Sequence, residues 1–138
     1  MDDEPFNILG MQIKIDTIGI NGLSKLVDRA YSGVEALKLV KEGLKSQDPE
    51  AQKYVYGLII TDISMPIMDG YELTKEIRNF YHVHNMAQPL IVACTGHVEE
   101  TYIEKAWEYE IDEVIPKPVE QKLLEEVIRE TIYLSSYN

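Results

Sequence analysis

Short runs that are apolar throughout alternate along this chain with longer segments whose apolar residues recur every three or four positions. The first segment, residues 5–18, repeats Phe6, Ile8, Leu9, Ile13 and Ile15 at helical spacing and ends toward Gly19 and Gly22, which predicts a helix. Residues 26–30 (LVDRA) read as a short strand. Ser32 caps a second helix whose inward stripe is Val34, Leu37 and Leu39 with Val40. Residues 45–56 (KSQDPEAQKYVY) are polar and interrupted by Pro49, so they read as a loop or a helix extension. Residues 58–62 (LIITD) are nearly all apolar, as expected of a strand covered on both faces.

Residues 71–81 then place Leu73, Thr74, Ile77 and Tyr81 on one helical side. Residues 89–94 (PLIVAC) predict a central strand, and residues 98–109 a helix with Val98, Tyr102, Ala106 and Tyr109 on one stripe. Residues 113–115 (EVI) form a last short strand. A helix over 119–133 follows, with Leu123, Leu124, Val127, Ile128 and Thr131 inward. Strands alternating with helices, the central strands apolar throughout, predict an α/β protein: a doubly wound parallel sheet layered between helices. In such sheets ligands gather beyond the carboxyl ends of the strands.

Length and charge narrow the function classes. At 138 residues the chain is one domain in size, and no apolar run reaches the ~18–20 residues that a membrane crossing needs. A formal charge of −11, from 24 acidic and 13 basic residues, repels nucleic-acid backbones and anionic membranes, so neither is an expected direct partner. The single cysteine, Cys94, cannot form an internal disulfide, and the N-terminus does not read as a secretory signal; together these predict a cytoplasmic setting. Cys94 itself reads as a small buried hydrophobe.

Four chemical features fall at carboxyl ends of the predicted strands: Asp62 after LIIT, Thr95 after LIVAC, Lys117 after EVIP, and Asp2, Asp3 and Glu4 ahead of the first helix. Clustered carboxylates repel one another unless a cation lies among them, and hard oxygen ligands suit Mg²⁺. A carboxylate can also attack phosphorus to form an acyl phosphate, given a cation and a hydroxyl to hold the phosphoryl oxygens. Lys117 and Thr95 are those residue types.

With DDEPFN at 2–7, ITDISMPIMDG at 60–70, ACTG at 93–96 and PKP at 116–118 in this order, nearly the whole chain resembles the receiver domains of two-component signalling, chiefly those of hybrid sensor histidine kinases. The resemblance implies a flavodoxin-like sheet of order 2-1-3-4-5 and one receiver domain over 1–138. It implies that Asp62 accepts the phosphoryl group, and that Asp2, Asp3, Asp62 and the backbone carbonyl of Ser64 bind Mg²⁺. It also implies that Thr95 is the switch hydroxyl, that Lys117 pairs with the phosphoryl group, and that the Lys117–Pro118 bond is cis. Asp69 and Gly70 belong to the turn into the third helix. The implied partner is a histidine kinase or a histidine phosphotransfer protein. The output is a protein-interaction face on the fourth helix, fifth strand and fifth helix, where Trp107, Tyr102 and Tyr109 lie.

Three departures accompany the resemblance. The family's first strand would be expected ahead of Asp2, where only Met1 stands, so the chain reads as an N-terminally truncated domain. Its loss, at ~1–2 kcal/mol per large apolar side chain against a net stability of about 5–15 kcal/mol, predicts one of three outcomes. The second strand closes onto the third, a neighbouring chain fills the slot by dimerisation or strand exchange, or stability is poor. Val114 stands where many receivers carry a switch aromatic, and the connection before LIITD is longer than usual by roughly a dozen residues. His82 and His84 read as polar loop residues and His97 as a rim residue. Two rival functions remain: a degenerate receiver that docks without phosphorylation, and an aspartate-nucleophile phosphatase. The second lacks its expected general acid, since Ser64 occupies that position.

Overall fold

The structure is a computed structural model and describes residues 5–45, 56–64, 67–96 and 100–135. Helix α1 (Pro5–Thr17) leads through two left-handed glycines, Gly19 and Gly22, into a 3-10 turn (Leu23–Leu26). Helix α2 is Gly33–Lys45, strand β1 Leu58–Asp62, helix α3 Gly70–Val83 and strand β2 Leu90–Thr95. Helix α4 is Glu100–Glu108, strand β3 Glu113–Pro116 and helix α5 Gln121–Ser135. The three strands are parallel in the order β1-β2-β3, with Ile60 level with Val92, and Cys94 level with Ile115.

Alternation along β2 divides the core. Successive side chains of a strand point to opposite faces, so Ile91 and Ala93 join Ile59, Leu73, Ile77 and Ala106 under α2, α3 and α4. Val92 and Cys94 join Ile15, Ile115, Leu124, Val127 and Ile128 under α1 and α5. A strand covered in this way has no solvent face, which is why LIVAC carries no alternation of polar residues. Cys94 is buried in the second layer, as its apolar setting predicts. No helix among the described residues is long and apolar enough to cross a membrane.

Helix entries follow local chemistry. The Ser32 hydroxyl accepts the Glu35 N–H at 3.1 Å, satisfying an N–H left open by the first turn of α2, and the Glu35 carboxylate reaches back to the Tyr31 N–H at 2.9 Å, ahead of the cap. Asp69 caps α3 in the same manner by accepting the Glu72 N–H at 2.9 Å. On α2 the stripe is rotated from the expected one: Ala36 and Val40 are buried, Leu37 and Leu39 half-buried, and Val34 is 55% exposed. Val34 lies in the first turn of α2.

The strand expected at residues 26–30 is not formed. Leu26 ends the 3-10 turn, and although Val27 is extended (φ −106°, ψ 118°), no described residue forms a sheet ladder with residues 27–30. An extended run becomes a strand only when a neighbour takes up its N–H and C=O groups. The segment therefore does not close onto β1. It is tied to the entry of that strand by side chains: the Tyr56 hydroxyl donates to Asp28, and the Tyr81 hydroxyl donates to the Tyr56 carbonyl at 3.1 Å. Burial and the Asp28 bond push the Tyr56 phenol well above its ordinary range, so it stays a donor. A cavity of about 80 Å³ lies between this segment and β1, lined by Ala30, Val40, Ile59 and Ile77 among others. The polar connection at 46–55 lies outside the described residues.

At the amino edge of the sheet, away from Asp62, Arg78 of α3 acts as a clamp. Its guanidinium donates to the carbonyls of Pro89 (2.7 Å) and Glu110 (2.7 Å), to the Gln88 side chain (3.2 Å) and to Asp112 (2.7 Å). Asp112 in turn accepts the Ile91 N–H at 2.8 Å. Two connecting segments, α3–β2 and α4–β3, are thereby fixed to α3 by one planar cation. Arg78→Ala is expected to cost about 2–4 kcal/mol in denaturant unfolding, and Arg78→Lys to recover little of it, because an ammonium cannot reproduce the fork. A lysine variant as stable as the parent would refute the geometric argument.

Glu113 opens β3 beside α5. Burial, and then the charges of Glu130 and Glu126, hold its carboxyl above the usual range. A carboxyl whose folded value is raised contributes stability below its unfolded value and loses it as pH rises through the folded one. At neutral pH the ionised Glu113 therefore opposes folding. Glu113→Gln is expected to raise Tm by roughly 1–3 °C at pH 7, and the gain should vanish below about pH 4. Thermal melts at the two pH values check the sign.

Candidate functional site

The strand register brings three of the expected residues to one edge. Asp62 ends β1, Thr95 ends β2, and Lys117 follows β3 directly. The Lys117 N–H donates to the Thr95 carbonyl at 2.8 Å, which carries the end of β3 along the end of β2. From there the Lys117 ammonium reaches Asp62 Oδ2 at 3.0 Å. Asp62 is 8% exposed, and Oδ1 accepts the Ser64 N–H at 3.3 Å, so both carboxylate oxygens have donors. Thr95 is 2% exposed, which places a hydroxyl-bearing residue inside the same carboxyl edge. The Lys117–Pro118 bond is cis.

The loop beyond Asp62 is held against the strand it leaves. Gly70 N–H donates to the Ile63 carbonyl at 2.9 Å, and a Cβ placed on Gly70 would lie 2.6 Å from the Asp62 carbonyl oxygen and 3.0 Å from Ile63 Cα. Only a residue without a side chain lets α3 start this close to Asp62. The sequence reading assigned Gly70 to a turn; its closeness to Asp62 follows from the fold, and the Asp-Gly pair before a helix was the one available hint. Across the crevice Gly33 presses on Met68, with a Cβ there 3.0 Å from the Met68 carbonyl oxygen, so the start of α2 supports the same loop.

Asp2 and Asp3, expected to share the metal with Asp62, lie outside the described residues, as does His97. Among the described residues no three His, Cys, Asp or Glu side chains stand together as a metal site. His82 and His84 are exposed; His84 Nδ1 lies 2.8 Å from the Phe80 carbonyl and its ring 4.3 Å from the Phe80 ring, which is a helix-end arrangement. The donor chemistry at Asp62 fits a hard cation: a carboxylate and a neighbouring backbone carbonyl at an exposed Ser64 are oxygen ligands of the kind Mg²⁺ takes.

A feature that the sequence reading did not single out adjoins the site. Tyr71, directly after Gly70, is buried, and its hydroxyl donates to the Tyr102 carbonyl of α4 at 3.3 Å. Its ring lies 5.3 Å from that of Tyr109, and the Lys105 ammonium stands 4.5 Å over it. Helical spacing had placed Tyr102 and Tyr109 inward on α4; Trp107, on the same helix, is 66% exposed.

A parallel three-layer fold with an acid, a hydroxyl residue and a lysine at the carboxyl edge of its sheet defines a flavodoxin-like domain of the receiver class. The chain belongs to the response regulator receiver domain family, which matches residues 1–129. It is 36% identical over 93 residues to histidine kinase CKI1 of Arabidopsis thaliana, covering 66% of this chain and 8% of that protein. It is 30% identical over 112 residues to probable histidine kinase 2 of Oryza sativa, covering 79% of this chain and 11% of that protein. The chain thus spans about a tenth of the length of these relatives. Among solved structures, the receiver domain of CKI1 complexed with Mg²⁺ superposes with a TM-score of 0.75 at 32% identity, over 94% of this chain and 86% of that one.

Gly70→Ala is the sharpest probe of this edge. The added methyl is expected to cost about 1–3 kcal/mol in unfolding and to displace Asp62, since backbone atoms on both sides must move. Gly43→Ala, in open space on α2, should be neutral to stabilising in the same assay.

Proposed function

We propose that residues 1–138 form one receiver domain that takes a phosphoryl group from a phosphohistidine onto Asp62. The observation that carries the reading is the buried Asp62 carboxylate, held at the end of a central strand with a lysine 3.0 Å away. An Asp62 oxygen attacks phosphorus, the phosphorus–nitrogen bond of the donor breaks, and the departing imidazole nitrogen takes a proton from solvent. Asp62 is left as an acyl phosphate. Lys117, released from the carboxylate, pairs with a phosphoryl oxygen, and the Thr95 hydroxyl donates to another.

Mg²⁺ supplies charge neutralisation of the phosphoryl oxygens when bound, and Asp2, Asp3, Asp62 and the Ser64 carbonyl would hold it. Support for the metal comes from the hard oxygen donors at Asp62 and from the CKI1 receiver, which was crystallised with Mg²⁺. The phosphoryl donor is a histidine kinase or histidine phosphotransfer protein of the cytoplasm. The domain acts as phosphoacceptor and switch, and its readout is the face carried by α4, β3 and α5.

Intact mass after incubation with Mg²⁺ and acetyl phosphate tests this. One added phosphoryl group is expected, absent without Mg²⁺ and absent in Asp62→Asn. A folded protein that takes none would leave a docking module that works without phosphorylation, the second reading compatible with the fold.

A further inference from the structure

Helix α4 is thinly anchored. Over its nine residues only Ala106 is buried, and Trp107 points into solvent. Among the interactions of the described residues, a side chain from another helix holds it laterally. Tyr71, 4% exposed, crosses from the first turn of α3 and engages α4 through three different contacts: a hydroxyl bond to a backbone carbonyl, a ring pair with Tyr109, and a cation over its ring face. Burial, then the charges of Asp69 and Tyr102, raise the Tyr71 phenol above its ordinary range, so it remains a donor through neutral pH. Lys105 also stands 6.0 Å from the Tyr109 ring, so one ammonium serves both aromatic faces.

The other end of this lever is the phosphoacceptor backbone. Gly70 bonds the Ile63 carbonyl and lies too close to Asp62 to carry a Cβ, so any displacement of the Asp62–Ile63 peptide moves the first turn of α3. Tyr71 is the next residue. Val114, on β3, is a small aliphatic residue packed against the same cluster and has neither the reach nor the hydroxyl for this task.

We propose that Tyr71 is the positioning residue that couples the state of Asp62 to the placement of α4, with Lys105 and Tyr109 as its seat. The proposal rests on the reading of Asp62 as phosphoacceptor. It deepens that reading by naming the side chain through which the α4 face responds. Coupling of this kind requires an element whose arrangement differs between the two states of the site; here that element is a helix with one buried residue, Ala106, and the Tyr71 contacts at its side.

The chain's one tryptophan, Trp107, reports on α4 directly. Acrylamide quenching of Trp107 is measured with and without Mg²⁺ and acetyl phosphate, and phosphoryl incorporation is read by intact mass in the same samples. The parent is expected to incorporate one phosphoryl group and change its quenching. Tyr71→Leu should incorporate within about twofold of the parent yet lose its quenching change at least about fivefold. Tyr71→Phe keeps the ring contacts and should lose about half, as should Lys105→Gln, a surface change that leaves the fold intact should the leucine variant not fold.

A full quenching change in the leucine variant, or in both milder variants, overturns the proposal. A parent that is phosphorylated without any Trp107 change overturns the coupling and leaves the reading of Asp62 standing. A parent that takes no phosphoryl group sinks the reading of Asp62 and the coupling with it. Amide hydrogen exchange without phosphoryl isolates the anchor: α4 amides should exchange about tenfold faster in Tyr71→Leu while α3 amides hold. Unchanged exchange in α4 would remove the anchor as well.

Discussion

A carboxylate that is 8% exposed at the end of an apolar strand costs several kcal/mol unless a cation meets it. The 3.0 Å contact between Asp62 and Lys117 answers that cost, and much of the carboxyl edge is arranged around it. Lys117 comes from the far strand of the sheet. It reaches Asp62 only because β2 lies between them in register and because its own N–H is fixed to the Thr95 carbonyl. The segment after the lysine is fixed to α1, where Lys14 donates to the Val119 carbonyl at 2.7 Å and Gln121 returns a bond to the Lys14 carbonyl at 2.8 Å. Strand order, loop geometry and the packing of α1 on α5 thus converge on one ion pair.

The sheet is anchored unequally at its two ends. Arg78 and Asp112 bind the amino edge through charged and backbone contacts, whereas the carboxyl edge carries the Asp62–Lys117 charge pair. Tyr71 stands near the division. Its backbone belongs to the Asp62 edge and its ring to α4, so a change in charge at one place has a mechanical route to the other. At the Arg78 end the segment leaving α4 is held as well, because the Glu110 carbonyl accepts from Arg78 at 2.7 Å before the chain turns through the left-handed Glu110 into β3.

How far the sequence foretold this depends on whether the signal was local. LIITD and LIVAC are buried on both faces, so their composition alone marks them as central strands, and the helix faces of α3 and α5 follow from the spacing of Leu73, Ile77, Leu124 and Val127. Asp62, Thr95 and Lys117 were legible because each ends a strand, and strand ends of a parallel sheet share an edge. What failed was non-local. Residues 26–30 have the composition of a strand, yet strandhood depends on a partner that composition does not encode. Val34 looked inward by periodicity, but the rotation of α2 about its axis is set by where α3 lies. Tyr71 carried no signal at all, since its importance comes from Lys105 and Tyr109, more than thirty residues away.

The chain carries a formal charge of −11, and the acyl phosphate proposed at Asp62 would replace one negative charge by roughly two, a net gain of about one at that edge. Unscreened, that addition would be repelled by the whole molecule. A short-range cation supplies the opposing attraction, and Lys117 meets the requirement because it is half-buried, where its charge is felt more strongly than at the open surface. While the site is unmodified the same ammonium neutralises Asp62. On the proposed reading, transfer of the phosphoryl group changes what the lysine faces and engages the Thr95 hydroxyl, and the backbone around Asp62 meets a helix at the peptide that Gly70 touches.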